Sequence, residues 1–99
     1  NIQTIGNAIS NLVERKNTDY DAAFERTFNE YGWYAYFIRI TDKLNRLENL
    51  TLNKQNPTIT NESISDTVVD IIGYSLLLLE LINRNQVDEL VKNIEITGG

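Results

Sequence analysis

Three carboxylates recur at a spacing that would bring them to one side of a helix. Glu62, Asp66 and Asp70 are each four residues apart, and at about 100° per residue they fall within an arc of about 80°. Like charges at this spacing destabilise a helix by roughly a few tenths of a kcal/mol per pair, and a divalent cation would offset that repulsion. Mg²⁺ is commonly held by one or two carboxylates together with water and phosphate oxygens. Gly73 lies on the same arc, where the missing side chain would let a ligand or a neighbouring helix approach closely.

The alternative is that these acids form a solvated face, as most charges on a helix surface do. The surroundings of Asp70 favour a site, because it stands among apolar neighbours such as Val69 and Ile71. We expect the helix around it to be largely buried, and a carboxylate in such a place is seldom left unpaired.

A second polar group precedes this helix and is mostly cationic. Arg39, Asp42, Lys43 and Arg46 fall within an arc of about 100° on a helix, away from its apolar stripe. They could form an exposed ladder of ion pairs, each of which contributes little. If the two helices pack through their apolar stripes, the cations could instead pair with the carboxylates or bind phosphate. A cleft of that kind suits a Mg²⁺-bound polyphosphate.

Two further clusters allow a functional and a structural interpretation. The segment from Asp19 through Tyr20 to Asp21 places two acids in an expected turn, where such residues most often cap a helix. The second cluster is aromatic and consists of Tyr31, Trp33, Tyr34 and Tyr36. Such a cluster more often belongs to the core or to an interface than to a surface on which a base stacks.

The amino-acid composition excludes several kinds of site. The 99 residues include no cysteine and no histidine, which excludes thiolate sites and the commonest transition-metal ligand. Any metal site must use oxygen ligands, which select ions such as Mg²⁺ or Mn²⁺. The net charge of −5 disfavours binding to nucleic acid or an anionic membrane. No P-loop, Rossmann, nucleophile-elbow or zinc motif is present.

We find no signal peptide and no apolar run long enough to span a membrane, so a cytoplasmic protein is expected. Position 1 is not Met, so we expect the natural chain to start upstream.

The elements that must position these residues are helices, and the length allows one domain, residues 1–99. Asn17 and Thr18 interrupt the first apolar stripe, and Asp21 can cap a second helix. Gly32 is expected to end that second helix. Pro57 marks a polar loop over 51–60. The periodicity predicts helices over 1–16, 21–32, 33–50, 61–82 and 86–96, followed by a frayed Gly98–Gly99 tail. The fold class is therefore all-α, a bundle of four to five helices. The fourth helix is apolar around most of its circumference, so it should be central or lie at a subunit interface, and we expect a homo-oligomer.

These segments resemble a known family over about Glu14 to Leu81. The matching blocks are Lys16-x-x-Asp19-Tyr20, Tyr31-Gly32, Arg39-x-x-Asp42-Lys43-x-x-Arg46-Leu47 and Glu62-Ser63-Ile64-x-Asp66-Thr67-x-x-Asp70-x-x-Gly73-Tyr74. They are similar to the phage-associated nucleotide modification associated domain family of its first type. That family is distantly similar to all-α nucleotide pyrophosphatases of the MazG and dimeric dUTPase kind, which hold Mg²⁺ with acids on two facing helices.

The resemblance implies roles for particular residues. The implied metal ligands, for Mg²⁺ or Mn²⁺, are Asp42, Glu62, Asp66 and Asp70. The implied substrate-binding residues are Arg39, Lys43, Arg46, Asp19, Tyr20 and Tyr74. With no histidine, Asp70 or Glu62 would be the catalytic general base. MazG-type enzymes carry E-x-x-E followed by E-x-x-D, whereas this chain has Arg46 where a second acid would stand, so one metal could be held.

Three functions follow as hypotheses. The first is a Mg²⁺-dependent (deoxy)nucleoside triphosphate pyrophosphohydrolase. The second is a phage or prophage protein of the bacterial cytoplasm that captures a nucleotide or nucleotide-derived signal without turnover, as an anti-defence device. The third is a structural helical oligomer with no ligand. Neither nucleic acid nor a membrane is an expected partner.

Overall fold

A computed structural model describes residues 1–52 and 61–97, without the side chains of residues 17–21 and 61. Those ranges contain helices and no strand, which confirms the all-α class. The four helices are α1 (Ile2–Tyr31), α2 (Tyr34–Thr51), α3 (Asn61–Ile82) and α4 (Val87–Thr97). No helix within the described ranges is long and apolar enough to cross a membrane.

The first helix is continuous, so the predicted break at Asn17 and Thr18 and the predicted cap at Asp21 are wrong. Helix α1 has 30 residues and passes through both positions. Asn and Thr each cost less than about 0.7 kcal/mol relative to Ala inside a helix. A continuous helix buries both Ile9 and Phe24, and burying one large apolar side chain contributes about 1.5–3 kcal/mol. Packing therefore outweighs the weak local preference.

The ends of α1 follow from local chemistry. The Asn1 side chain accepts a hydrogen bond from the Thr4 backbone N–H at 2.9 Å, which caps a backbone donor that would otherwise lack a helical partner. Gly32 ends the helix, as expected, with φ at 65°, a region that side chains with a Cβ rarely adopt. The chain then turns into α2, which begins and ends one residue later than predicted.

The other boundaries agree closely with the sequence. Helix α3 spans the predicted residues, with Glu62 in its first turn, and α4 lies one residue later than expected. The predicted loop overlaps α2 at Thr51, and its remaining part beyond Leu52 lies outside the described residues. The predicted cap by the Asn61 side chain and the Gly98–Gly99 tail also lie outside them.

Helices α2 and α3 form an antiparallel hairpin. The Tyr36 hydroxyl lies 2.8 Å from Ser75 Oγ, and Lys43 Nζ lies 2.8 Å from Asp70 Oδ2. The partners on α3 thus run backwards as α2 runs forwards. Ser75 Oγ donates its one hydrogen to the Ile71 carbonyl at 2.8 Å, so Tyr36 donates to Ser75.

The small core lies where α1 packs on this hairpin. Its buried hydrophobic members in the described residues are Ile9, Phe24, Ala35 and Leu77, and Thr67 is buried with them. The Thr67 hydroxyl is satisfied by the Ser63 carbonyl at 2.9 Å. Helix α3 contacts both α1 and α2, so its predicted central position is confirmed, while oligomer formation stays a prediction.

Candidate functional site

A salt bridge between α2 and α3 joins the two polar groups that the sequence singled out. Lys43 Nζ lies 2.8 Å from Asp70 Oδ2. This confirms that a cation of the second predicted polar group pairs with a carboxylate of the first. The predicted burial of Asp70 is wrong, since its side chain is 48% exposed and that of Lys43 is 29% exposed. Asp70 lies at the rim of the helix interface, where α1 leaves its carboxylate open to solvent.

A shallow cavity between α1 and α3 opens beside Asp70. It has a volume of about 50 Å³, enough for one or two waters and too small to enclose a nucleotide. Its polar rim consists of Lys16, Asp70 and Tyr74. Its other lining residues are Ile9, Leu12, Val13, Val69, Gly73 and Leu77. A ligand larger than water would therefore lie across the mouth, in contact with the polar rim.

Lys16 is the residue that sequence reasoning left without a role. It follows Ile9, Leu12 and Val13 by seven, four and three residues, so on a continuous helix it lies on their apolar stripe. A cation on an apolar stripe is a signal in itself, because lysine can lay its stem on apolar surface and keep its charge at the rim. The expected helix break directly after Lys16 hid that signal.

The implied metal ligands are not gathered into one cluster. Asp42, Glu62 and Asp66 are all exposed, and Asp70 is bonded to Lys43. Among the described side chains, which leave out those of residues 17–21 and 61, no three acids are close enough together to hold a metal ion. A metal at Asp70 would therefore have to complete its coordination with water and phosphate oxygens, which is how Mg²⁺ is usually held.

The remaining candidate residues belong to α1, α2 and α3. Arg39 and Arg46 are exposed on α2. Tyr74 is half-buried, and its ring packs against Phe24 with centroids 6.1 Å apart. Asp19 and Tyr20 belong to α1, and their side chains lie outside the described part of the chain.

The aromatic cluster divides between packing and exposure. Trp33 packs edge-on against Phe28 with ring centroids 5.4 Å apart, and Tyr36 is held by Ser75. Tyr31 and Tyr34 are exposed. Packing therefore accounts for Trp33 and Tyr36, while base stacking by any member stays a prediction.

A family model for nucleotide modification associated domain 1 matches residues 16–83. The chain belongs to this family. The matched segment contains both lysines of the site together with Asp70 and Tyr74, and it ends before α4 begins. No curated protein and no solved structure matches the chain. The expected resemblance to this family is thus confirmed, while the more distant similarity to MazG-type enzymes stays a prediction.

Proposed function

We propose that this member of the nucleotide modification associated domain 1 family binds a nucleoside polyphosphate as its Mg²⁺ or Mn²⁺ complex. The binding site would be the mouth of the cavity between α1 and α3, next to Lys43 of α2. The observation that carries the proposal is that Lys16, Asp70 and Tyr74 line one cavity while Lys43 is bonded to Asp70, all inside the segment that the family model matches.

The local charge suits phosphate although the chain as a whole is acidic. The net charge of −5 repels polyanions at long range, but screening limits this effect to about 8 Å at physiological ionic strength. At the site itself Lys43 is bonded to Asp70 and Lys16 lines the same cavity as Asp70, so two lysines accompany one carboxylate. Lysine binds phosphate as a point charge with three donors, so the rim can hold phosphate oxygens from two sides.

The carboxylates fit a cation that is shared with the phosphates. Asp66 lies four residues before Asp70, a spacing that puts Cβ atoms about 6 Å apart on one face of a helix. Asp66 and Asp70 would hold the ion together with phosphate oxygens and water. The bridge to Lys43 engages Oδ2 of Asp70, and a carboxylate has two oxygens with which to accept partners. When bound, the metal would neutralise phosphate charge next to these acids.

The more specific proposal is that the protein hydrolyses the bound nucleoside triphosphate and releases pyrophosphate. Glu62 and Asp66 are exposed on the face of α3 that also carries Asp70, where Asp70 or Glu62 could accept the proton of an attacking water. Capture without turnover is the second candidate. It is favoured by the fact that no three acids of the described residues converge on one point.

Thermal denaturation of the purified chain tests the proposal. Each nucleoside triphosphate and a set of cyclic dinucleotides would be added with Mg²⁺, with Mn²⁺ and with chelator. A ligand that binds the native state raises the melting temperature even if it is not turned over. Pyrophosphate release then separates hydrolysis from capture. If no ligand shifts the melting temperature with either metal, the proposal is refuted.

Asp70→Asn separates a functional from a structural role of this carboxylate. The proposal expects the variant to keep its helical signal and to lose the metal-dependent part of the shift. An exposed pair such as Lys43–Asp70 contributes only about 0.2–1 kcal/mol, so the fold should survive its removal. Asp88→Asn on α4 is the matched control, since Asp88 is an exposed acid outside the family segment. Unfolding of Asp70→Asn alone would assign Asp70 a structural role instead.

A further inference from the structure

The ion pair between Lys43 and Asp70 engages the two groups that the proposed ligand needs. Lys43 Nζ lies 2.8 Å from Asp70 Oδ2, a distance typical of a charge-assisted hydrogen bond. Under the proposed function, Lys43 would bind phosphate and Asp70 would bind the metal ion. In this structure each group is bonded to the other, so a ligand has to compete with an oppositely charged partner that the chain itself supplies.

Helix packing holds both members of the pair in position. The side chain of Lys43 is only 29% exposed, and Ile40 and Leu47, on the same face of α2, are half-buried. The lysine stem therefore extends along the contact between the helices, and its charged end reaches the rim. Asp70 has a short side chain that is 48% exposed. The pair is thus positioned by the fold, while its carboxylate stays accessible to a ligand.

A phosphate without a metal ion meets a carboxylate next to the lysine. Phosphate oxygens and the Asp70 carboxylate compete for the same ammonium group, and because both are negatively charged they also repel each other. In water, two like charges about 4 Å apart weaken binding by about fivefold, and by more near a protein surface. Asp70 therefore disfavours binding of a metal-free phosphate to Lys43.

The same carboxylate has the opposite effect on a phosphate that carries a divalent cation. Asp70 then binds the cation instead of repelling the phosphate, and Lys43 donates its hydrogens to phosphate oxygens. Neighbouring phosphates hold one cation between their oxygens, whereas a monophosphate has no neighbouring phosphate with which to share it. The ion pair therefore favours a polyphosphate that brings its own metal ion.

We infer that Asp70 is a specificity-determining residue, which keeps Lys43 from binding metal-free phosphates. This role rests on the proposed function, in which Lys43 binds the phosphates of a metal complex. It extends that function to the choice of ligand: the site accepts metal-bound nucleoside diphosphates and triphosphates, and it rejects monophosphates and inorganic phosphate.

Isothermal titration calorimetry with inorganic tripolyphosphate in the presence of chelator tests this role. Asp70→Asn is expected to bind the metal-free anion about tenfold more tightly than the unmodified chain, because breaking an exposed ion pair and removing a like charge each contribute up to about fivefold. Asp88→Asn is the matched control, since it makes the same change of charge at an exposed acid of α4. If Asp70→Asn binds the metal-free anion no better than Asp88→Asn does, the inference is overturned.

A double variant shows whether the gain acts through Lys43. Asp70→Asn combined with Lys43→Ala should lose the gain that Asp70→Asn shows alone. A gain that persists in the double variant would come from another cation, such as Lys16, and would also overturn the inference. With Mg²⁺ in place of chelator the order should reverse, so that the unmodified chain binds tripolyphosphate more tightly than Asp70→Asn.

Lys43→Ala alone keeps the test valid if Asp70→Asn does not fold. Because Asp70 already engages Lys43, loss of the lysine should leave the affinity for metal-free tripolyphosphate almost unchanged, and it should weaken binding of the Mg²⁺ complex. An equal loss in both conditions would refute the role of Asp70 while leaving phosphate binding by Lys43 intact. Failure of the proposed function has a different signature, namely that no nucleoside triphosphate binds the unmodified chain with either metal.

Discussion

Gly73→Ala is the substitution whose effect the structure defines best. Gly73 lies in the interior of α3 and faces Val13 of α1, where an added Cβ would lie 3.5 Å from Val13 Cγ2. That is an ordinary van der Waals distance, so the neighbour need not move. Alanine is favoured over glycine inside a helix by about 0.8–1.0 kcal/mol. We therefore expect the free energy of unfolding to rise by about 1 kcal/mol, which raises the melting temperature by about 4–8 °C in a domain of this size.

The assay is urea and thermal denaturation followed by circular dichroism, with Gly6→Ala as control. Gly6 lies near the start of α1, and nothing lies within 4 Å of the position of an added Cβ. It gains helix propensity without a contact between helices, and fraying at the helix end reduces that gain. Gly73→Val should be less stable than Gly73→Ala, because its γ carbons reach further towards Val13 and valine is a weaker helix former.

A loss of stability in Gly73→Ala would refute the reasoning, because it would mean that α1 and α3 approach more closely than a Cβ allows. The same variant also tests the ligand. If it is stabilised and still binds nucleotide, the missing side chain serves helix packing alone. If it is stabilised but binds less well, the ligand itself approaches the backbone at Gly73.

Three further substitutions are predicted from local geometry. Gly32→Ala should lower the free energy of unfolding by about 1–3 kcal/mol, because φ at this residue is 65° and a Cβ is strained there. Tyr36→Phe should lower it by about 0.5–1.5 kcal/mol, since it removes the hydrogen bond to Ser75. Arg84→Ala should lower the melting temperature slightly near neutral pH. The hydrogen bond from Arg84 holds the pKa of Glu25 below its usual value of 4.5, so its contribution is present above that pH and is lost as the pH falls through the lowered pKa.

Denaturation curves check all three, and each has an outcome that would contradict it. An unchanged melting temperature for Gly32→Ala would show that the α1–α2 turn is not strained. For Tyr36→Phe, Ser75→Ala is the partner in a double-mutant cycle, and additive effects would argue against the hydrogen bond. A difference between Arg84→Ala and the unmodified chain that grows on acidification would have the wrong sign.

Helix boundaries were predictable wherever glycine, proline or a long apolar pattern defined them. Helix α3 and the stop at Gly32 are of this kind. The predicted break after Lys16 failed because Asn17 and Thr18 are only weak helix breakers, and the gain from burying Phe24 on the same helix is a tertiary effect. A sequence pattern without glycine or proline cannot decide between one long helix and two short ones when packing supplies the difference.

The sequence predicted which charged residues of the site pair with each other better than it predicted how exposed they are. The pairing of Lys43 with Asp70 follows from complementary charges on helices that pack together. The exposure of Asp70 does not, because apolar neighbours such as Ile72 can face the outside of the bundle as well as its core. Lys16 was missed because it stood at the expected end of the first helix, where a lysine is an ordinary last-turn residue, whereas in the structure it lies in the interior of α1.

Binding of Mg²⁺–deoxynucleoside triphosphates to Lys43→Ala, with Lys92→Ala as control, tests the central claim most directly. Lys92 is an exposed lysine of α4 outside the family segment, so both variants lose one positive charge. We predict that at least one triphosphate stabilises the unmodified chain and Lys92→Ala, by about 2.7 kcal/mol at a hundredfold excess over the dissociation constant, and stabilises Lys43→Ala much less. Equal stabilisation of all three proteins, or of none, would contradict a nucleotide site at the Lys43–Asp70 rim.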